Sequence, residues 1–441
     1  MEQLAELGEL GQLVKSLTNN SAIPGMFNRA PIRWFPRLLS GAALAMRRFD
    51  PADFSPAIKT RLLILQPTPF CNINCDYCYL PNRNSKARMK VATVQRAAER
   101  LRDDGLIGPG LTVVWHAGEP LTVSPAFYEE AIAAIRESVP SSCAVSHSIQ
   151  TNAILVDDEW CNLFRRHSIR VGVSVDGPAE LHDAHRRTRT RRGTHAKALR
   201  GMAKLREHGI DFHAIAVVTA ATFARADAFF DFFAEQGVTD VGCNYDEAEG
   251  LHQRSSLVGH ETEHATFLAR MLERSIADGR LRVRELAMAR RLIEEPLPRY
   301  RWNNLEWPDN AQTLPFALIA VAHSGDFSTF SPELLGQPSA EHGDFILGNV
   351  HFKGYFDSAR DVRFERLWSA IELGVRECAS SCAYYGFCGG GSPVNKLYEN
   401  NHLSSTETLY CRSMIKRPFD TVLVRLEREA DKRRKTVETN A

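Results

Sequence analysis

The stretch Cys71-Asn-Ile-Asn-Cys75-Asp-Tyr-Cys78-Tyr-Leu-Pro81 sets three thiols within eight residues, in a C-x3-C-x2-C spacing. Thiols this close converge on one centre and leave a four-ligand site one ligand short. A structural zinc site needs a closed set of four, whereas an iron–sulfur cubane takes one thiolate per iron. His116 would complete a zinc site of three thiolates and one imidazole, so spacing alone leaves both readings standing. A second group, Cys378, Cys382, Cys388 and Cys411 (C-x3-C-x5-C-x22-C), has four thiols, enough to close one site. Cys143, Cys161 and Cys243 stand singly and read as small buried hydrophobes. Ten cysteines in 441 residues are too dilute for a disulfide scaffold.

Outward from the triad, short apolar runs alternate with longer amphipathic segments. The pattern predicts strands at 62–66, 111–116, 145–150, 170–175, 212–218 and 240–244. It predicts helices at 91–102, 126–137, 158–166, 197–208 and 224–236. Repeated strand–helix units imply an α/β fold on a parallel sheet, and six strands are too few to close an eight-stranded barrel. The expectation is therefore a partial (βα)6 TIM barrel, open at its edge. Chemistry in such folds sits at the carboxyl ends of the strands. Cys71, Ala117-Gly118-Glu119-Pro120, Gln150-Thr151-Asn152, Ser174, Asp176-Gly177-Pro178 and Asn244–Gly250 all fall there. Each is also an ordinary turn former, so their shared rim carries the signal.

Composition narrows the class. Lys plus Arg (54) nearly balance Asp plus Glu (53), which gives no general attraction to nucleic acid or anionic lipid. The longest wholly apolar run, Phe316–Ala322, is far short of the roughly 20 residues of a membrane span. The acidic N-terminus lacks the basic start of a signal peptide, so a cytoplasmic protein with no nucleic-acid or membrane partner is expected.

The quoted residues resemble the radical S-adenosylmethionine (SAM) enzymes. CNINCDYCYLP is similar to their cluster loop, AGEP (117–120) to their GGEP element, and SVDGPAELHDAHR (174–186) to the matching segment of the peptide-modifying branch. The resemblance implies a [4Fe–4S] cluster on Cys71, Cys75 and Cys78, its fourth iron chelated by SAM. Reductive cleavage would then yield a 5′-deoxyadenosyl radical. Carried over residue by residue, Tyr77 lies near the adenine, and the backbone of Gly118 and Glu119 meets the SAM amino group. Gln150, Asn152 and Ser174 complete the SAM set with Arg186 as carboxylate partner; Arg187 and Arg189 are its rivals. An external donor such as flavodoxin or ferredoxin is implied.

The C-terminal cysteines resemble a SPASM extension, which implies an auxiliary [4Fe–4S] cluster on Cys378, Cys382, Cys388 and Cys411. Two-cluster SPASM domains have a further cysteine where this chain has Ser392, and a cysteine pair in a hairpin where it has Phe330. One closed auxiliary cluster is therefore expected; four thiolates also suit a structural zinc. Implied boundaries are 1–60 (N-terminal extension), 61–250 (radical SAM partial barrel), 251–314 (helical linker), 315–412 (SPASM-like domain) and 413–441 (C-terminal helix and tail). Within the extension, Arg33, Trp34, Phe35, Arg37, Arg47 and Arg48 form a basic-aromatic segment able to dock a peptide leader or to pack on the barrel.

Across most of 61–412 the chain is similar to the GrrM/OscB-type radical SAM/SPASM maturases. QPTPFCNINCDYCYLP, WHAGEPL, IQTNAILVDDEW, STFSPELLG and CGGGSPVNK carry the likeness. It implies a ribosomally made precursor peptide as partner and cyclophane formation, joining an aromatic carbon to a nearby unactivated β-carbon. Rearomatisation needs a carboxylate base. Glu247 and Glu249 are expected on one side of the strand end and Asp246 on the other, with Asp176 as a further candidate. Thioether or formylglycine formation would use the same scaffold. Two readings of another class compete. His260-Glu261-Thr262-Glu263-His264 matches the H-E-x-x-H pattern of zinc peptidases. A noncatalytic cluster-bearing peptide-binding module is the other.

Overall fold

Six short segments, most of them rich in β-branched and aliphatic residues, build the centre of a ten-stranded sheet. They are β1 (Thr60–Leu65), β2 (Ile107–Trp115), β3 (Ala144–Thr151), β4 (Arg170–Ser174), β5 (Phe212–Val218) and β6 (Asp240–Tyr245), each parallel to the next. The computed structural model describes Phe49 and residues 53–439; the basic-aromatic segment with Arg33 and Arg47 lies outside them.

Helices follow the strands with their apolar stripe inward. In α1 (Val91–Asp103) Val94, Ala97, Ala98 and Leu101 are buried, the i, i+3, i+4, i+7 spacing of one helical face. Helix α2 (Pro125–Ser138) follows β2, and α3 (Asp158–Arg166) starts where Asp157 caps the Trp160 amide at 3.0 Å. A short α4 (Ala179–His185), not expected from the pattern, precedes α5 (His195–Glu207), and α6 (Ala226–Glu235) precedes β6.

The sheet is open and larger than six strands. After α7 (Glu261–Asp278), β7 (Arg282–Val283) adds in parallel beside β6, and α8 (Arg284–Glu294) follows. At the opposite edge β8 (Leu318–Val321) lies parallel to β1, and β9 (Asp326–Thr329) and β10 (Gly348–Asn349) extend it antiparallel. Sheet membership thus runs across residues 250 and 315, and residues 48–421 form one compact unit. Residues 250–314 are not wholly helical: Arg299–Trp302 and Leu305–Pro308 form a hairpin against Phe54–Ser55. Residues 422–439, in the other unit, continue the helix Arg417–Thr439, where Arg425 pairs with Glu429 at 2.6 Å.

The β8–β9 hairpin is the one that carries no cysteine. Phe330, at its end, adopts φ +76° and is fully buried, its ring parallel to Trp368 (6.2 Å, 6°). Phe54, Trp302 and Trp307 pack on Trp368 of α9 (Val362–Ser381), which also sets Phe364 against Phe330. Truncating a ring so packed removes its contacts and leaves a cavity. Phe330→Ala is expected to destabilise residues 48–421 by about 3–5 kcal/mol, read as a lower denaturant midpoint under anaerobic conditions.

Candidate functional site

The cysteine triad occupies the loop between β1 and α1, at the carboxyl rim. Main-chain bonds hold this loop to the segment after α4: Ile73 bridges Thr188, and the Asn74 amide donates to the Arg187 carbonyl at 2.7 Å. Arg189 donates to the Cys71 carbonyl through Nε (3.0 Å) and Nη2 (2.6 Å), and Arg83 to that of Cys75 (2.9 Å). Arg187 and Arg189, the rivals for a SAM carboxylate, are thus engaged with backbone, Arg187 on the Asp183 carbonyl. Burial, then Glu119 and the other two thiols, push Cys71 up to about 12; burial pushes Cys75 up to about 11 against the pull of Arg186. A metal would have to drive the ionisation of Cys71 and Cys75, since cluster ligands bind as thiolates.

Gly118 explains the AGEP element. It sits at φ +58°, and a Cβ there would lie 2.5 Å from the carbonyl oxygens of Thr68 and Phe70. Only glycine lets the rim of β2 touch the cysteine loop. Glu119 turns inward: its carboxylate accepts from the amides of Leu121 (3.0 Å) and Asn152 (2.8 Å) and from Thr151 Oγ1 (2.7 Å). Burial pushes it up to about 7 against those three bonds. Its side chain therefore ties β2 to β3. Gln150 Nε2 donates to Ser174 Oγ at 2.8 Å across β3 and β4, and Asn152 Nδ2 to Asn72 Oδ1 at 2.7 Å. His116 is half-buried, and the loss of solvation pushes its imidazole down to about 4.

Asp176 is committed elsewhere than to proton transfer. Oδ1 accepts from the Val217 amide (2.9 Å); Oδ2 accepts from Tyr77 Oη (2.5 Å) and Arg186 Nε (3.0 Å). The Arg186 guanidinium lies 5.5 Å over the Tyr77 ring. Buried Asp176 and Arg186 and half-buried Tyr77 are thus one hydrogen-bonded unit beside Cys75. Asp246 is likewise occupied, accepting from His252 Nε2 (2.8 Å) and the Ser256 amide (2.7 Å).

Glu247 and Glu249 are brought together, although β6 ends before them. Their side chains hydrogen-bond each other, and Asn395 Nδ2 donates to Glu247 at 2.7 Å. Glu333, not singled out from sequence although it lies in STFSPELLG, joins them and accepts from Ser331 Oγ. Burial raises all three carboxyls above the ordinary range, and mutual repulsion adds to Glu249. The Tyr79 carbonyl is the meeting point. It receives Gln337 Nε2 and the Leu251 amide (each 3.4 Å), and a Cβ on Gly250 would come within 2.5 Å of it.

The second cysteine group also meets in space. Cys378 feels Cys411 and Cys382, as does Cys388. Each of three sulfurs has its donor: Lys396 Nζ to Cys378 (3.5 Å), the Gly390 and Gly391 amides to Cys388, and Thr408 Oγ1 to Cys411 (3.3 Å). Such donors suit thiolates of an iron–sulfur cluster, whose charge they share. Ser392 Oγ is buried without a hydrogen-bond partner among the described residues. Cys143, Cys161 and Cys243 are buried apart.

The H-E-x-x-H match does not form a site. His264 is buried, stacked 5.1 Å from Phe223 and hydrogen-bonded to Arg417, while half-exposed His260 faces Glu263. Among the described residues no three His, Cys, Asp or Glu side chains converge for a single ion. The cysteine groups differ from such a site because a cubane gives each thiolate its own iron and spreads the ligands. No helix among the described residues is long and apolar enough to cross a membrane.

Known proteins share this arrangement. The profile of the radical SAM superfamily matches residues 65–233. The uncharacterized protein sll1766 of Synechocystis sp. is 37% identical over 390 residues, 87% of this chain and 95% of that one. The serine-type anaerobic sulfatase-maturating enzyme of Klebsiella aerogenes is 34% identical over 178 residues, 40% of this chain and 44% of its own length. Among solved structures, anSMEcpe with bound AdoMet and Cp18Cys peptide superposes with TM-score 0.66 at 19% identity, covering 85% of this chain and 99% of that one. SuiB of Streptococcus suis bound to precursor peptide SuiA gives 0.53 at 16% identity, covering 80% and 76%. These two show a shared fold. The chain belongs to the radical SAM superfamily, whose members bind a [4Fe–4S] cluster and SAM.

Two substitutions probe the rim. Asp176→Ala leaves Arg186 buried and unpaired, which costs about 3–5 kcal/mol and is read as a lower denaturant midpoint. Gly118→Ala is expected to retain the fold by circular dichroism but lose SAM binding, measured by equilibrium dialysis of the anaerobically reconstituted protein.

Proposed function

We propose that the chain is a radical SAM/SPASM peptide maturase that joins an aromatic side chain to a nearby β-carbon of a ribosomally made precursor. One observation carries the reading. The Glu247–Glu249–Glu333 cluster lies against Tyr79 of the cysteine loop on one side and Asn395 of the C-terminal region on the other.

Cys71, Cys75 and Cys78 would hold the SAM-binding cluster, and Cys378, Cys382, Cys388 and Cys411 an auxiliary one. When bound, the first supplies with SAM a 5′-deoxyadenosyl radical, and the second a one-electron acceptor. Tyr77, the Gly118–Glu119 backbone, Gln150, Asn152, Ser174 and Arg186 line the SAM side. Asp176 holds Arg186 and Tyr77 in position, and Glu119 fixes the strand ends. A carboxylate oxygen of Glu247 takes the ring proton when aromaticity returns, with Glu249 and Asn395 orienting it. Residues 251–314 link the two cysteine regions, and a flavodoxin- or ferredoxin-like protein delivers the reducing electron.

The sulfatase-maturating relatives favour a second outcome on the same geometry, oxidation of Ser or Cys to formylglycine. Anaerobic reaction with the short peptide encoded beside the gene, followed by tandem mass spectrometry, separates them. A loss of two hydrogens mapped to an aromatic residue and its neighbour supports cross-linking; a product captured by a hydrazide supports the aldehyde.

Glu247→Gln is expected to abolish modified peptide while 5′-deoxyadenosine still forms, both quantified by liquid chromatography. The base must be ionised, and burial holds its pKa above the ordinary carboxylate range. Product per SAM cleaved should therefore fall as the pH drops, with the decline beginning at a pH above that expected for a solvent-exposed glutamate.

A further inference from the structure

The side chain of Lys396 is an unusual place for a charge. It is 2% exposed, at the first turn of α10 (Pro393–Asn400), and among the described residues no carboxylate pairs with it. Nζ donates to the Gly374 carbonyl at 3.1 Å and to Cys378 Sγ at 3.5 Å. Other part-buried cations have an acid beside them: Arg274 pairs with Asp227 and Asp231, and Lys416 with Glu407. An ammonium removed from water needs an anion, and the nearest candidate here is a thiolate.

The pocket is shaped for this group. Gly374 stands one helical turn before Cys378 on α9, and a Cβ there would lie 3.1 Å from Nζ. The Gly389–Gly391 turn, at φ +60°, +99° and +76°, closes the other side, with Gly390 against Val375 and Gly391 facing Cys411 Sγ. Lys396 thus meets one carbonyl and one sulfur in a space walled by backbone. A solvated surface lysine has no use for such a cradle.

We propose that Lys396 is a redox-positioning residue: its buried charge, set on Cys378, raises the reduction potential of the iron–sulfur cluster held by the C-terminal cysteines. The inference rests on the auxiliary-cluster reading above. Reduction adds one electron and hence one negative charge to the cluster. A fixed cation stabilises the reduced state more than the oxidised state, most strongly where the surroundings are weakly polarisable. An auxiliary site that must take an electron from a substrate radical gains from that shift.

The test uses the full chain with Cys71, Cys75 and Cys78 all changed to Ala, so that one cluster remains, reconstituted anaerobically. Iron content, the paramagnetic resonance of the reduced protein and the midpoint from a mediated redox titration are compared for Lys396, Lys396→Arg, Lys396→Gln and Lys396→Met. The expected result is equal iron in all four, a midpoint kept by Arg, and a shift to more negative potential in Gln and Met. Full iron with an unchanged midpoint in Met overturns the proposal. Loss of iron in Gln and Met but not Arg supports a role for the charge; loss in all three assigns the residue to packing and also overturns it. Absence of a cluster with Lys396 intact instead removes the auxiliary-cluster reading, and this inference with it.

Discussion

The site depends on one buried carboxylate. Asp176 has three partners from three parts of the chain: the β5 backbone, a tyrosine between two cluster cysteines, and an arginine that ends α4. Without it the guanidinium would be stranded in a dry interior, and the cysteine loop would lose its side-chain tie to the sheet. The positive charge it holds in place also faces Cys75. A carboxylate in the rim sequence that reads as a turn former, or as a base, is in this fold a fastener for the cofactor loop. Glu119 acts similarly between β2 and β3, so the rim is braced by two acids that never need to meet substrate.

The remaining acids behave differently because no cation among the described residues pairs with them. Glu247, Glu249 and Glu333 come from two loops that meet at the Tyr79 carbonyl, and each is only half-buried. Crowded carboxyls with few donors favour proton sharing, the property a base near neutral pH requires.

Much of this was legible in sequence. Six strands fall within a few residues of their expected bounds because each sets inward-facing apolar residues between turn formers, in a run shorter than a helix needs. The cysteine spacings were legible because cluster ligands are local in the chain. What escaped was long-range. Leu318–Val321 is four apolar residues with no period to read, and its pairing with β1 joins residues more than 250 positions apart. Glu333 and Lys396 carry ordinary charges whose meaning depends on what packs beside them. Asp176 sat in a turn-like Asp-Gly-Pro, and only its partners separate a fastener from a base. The H-E-x-x-H match failed for the converse reason: the spacing was right, but one imidazole went into the core.

The parallel seam between β8 and β1 has a mechanical consequence. The strand that leads into the SAM-side cysteines is zipped along its flank to the hairpin that opens the C-terminal region. The two cysteine regions are accordingly joined edge to edge by main-chain hydrogen bonds, so a pull on one strand is felt directly by the other.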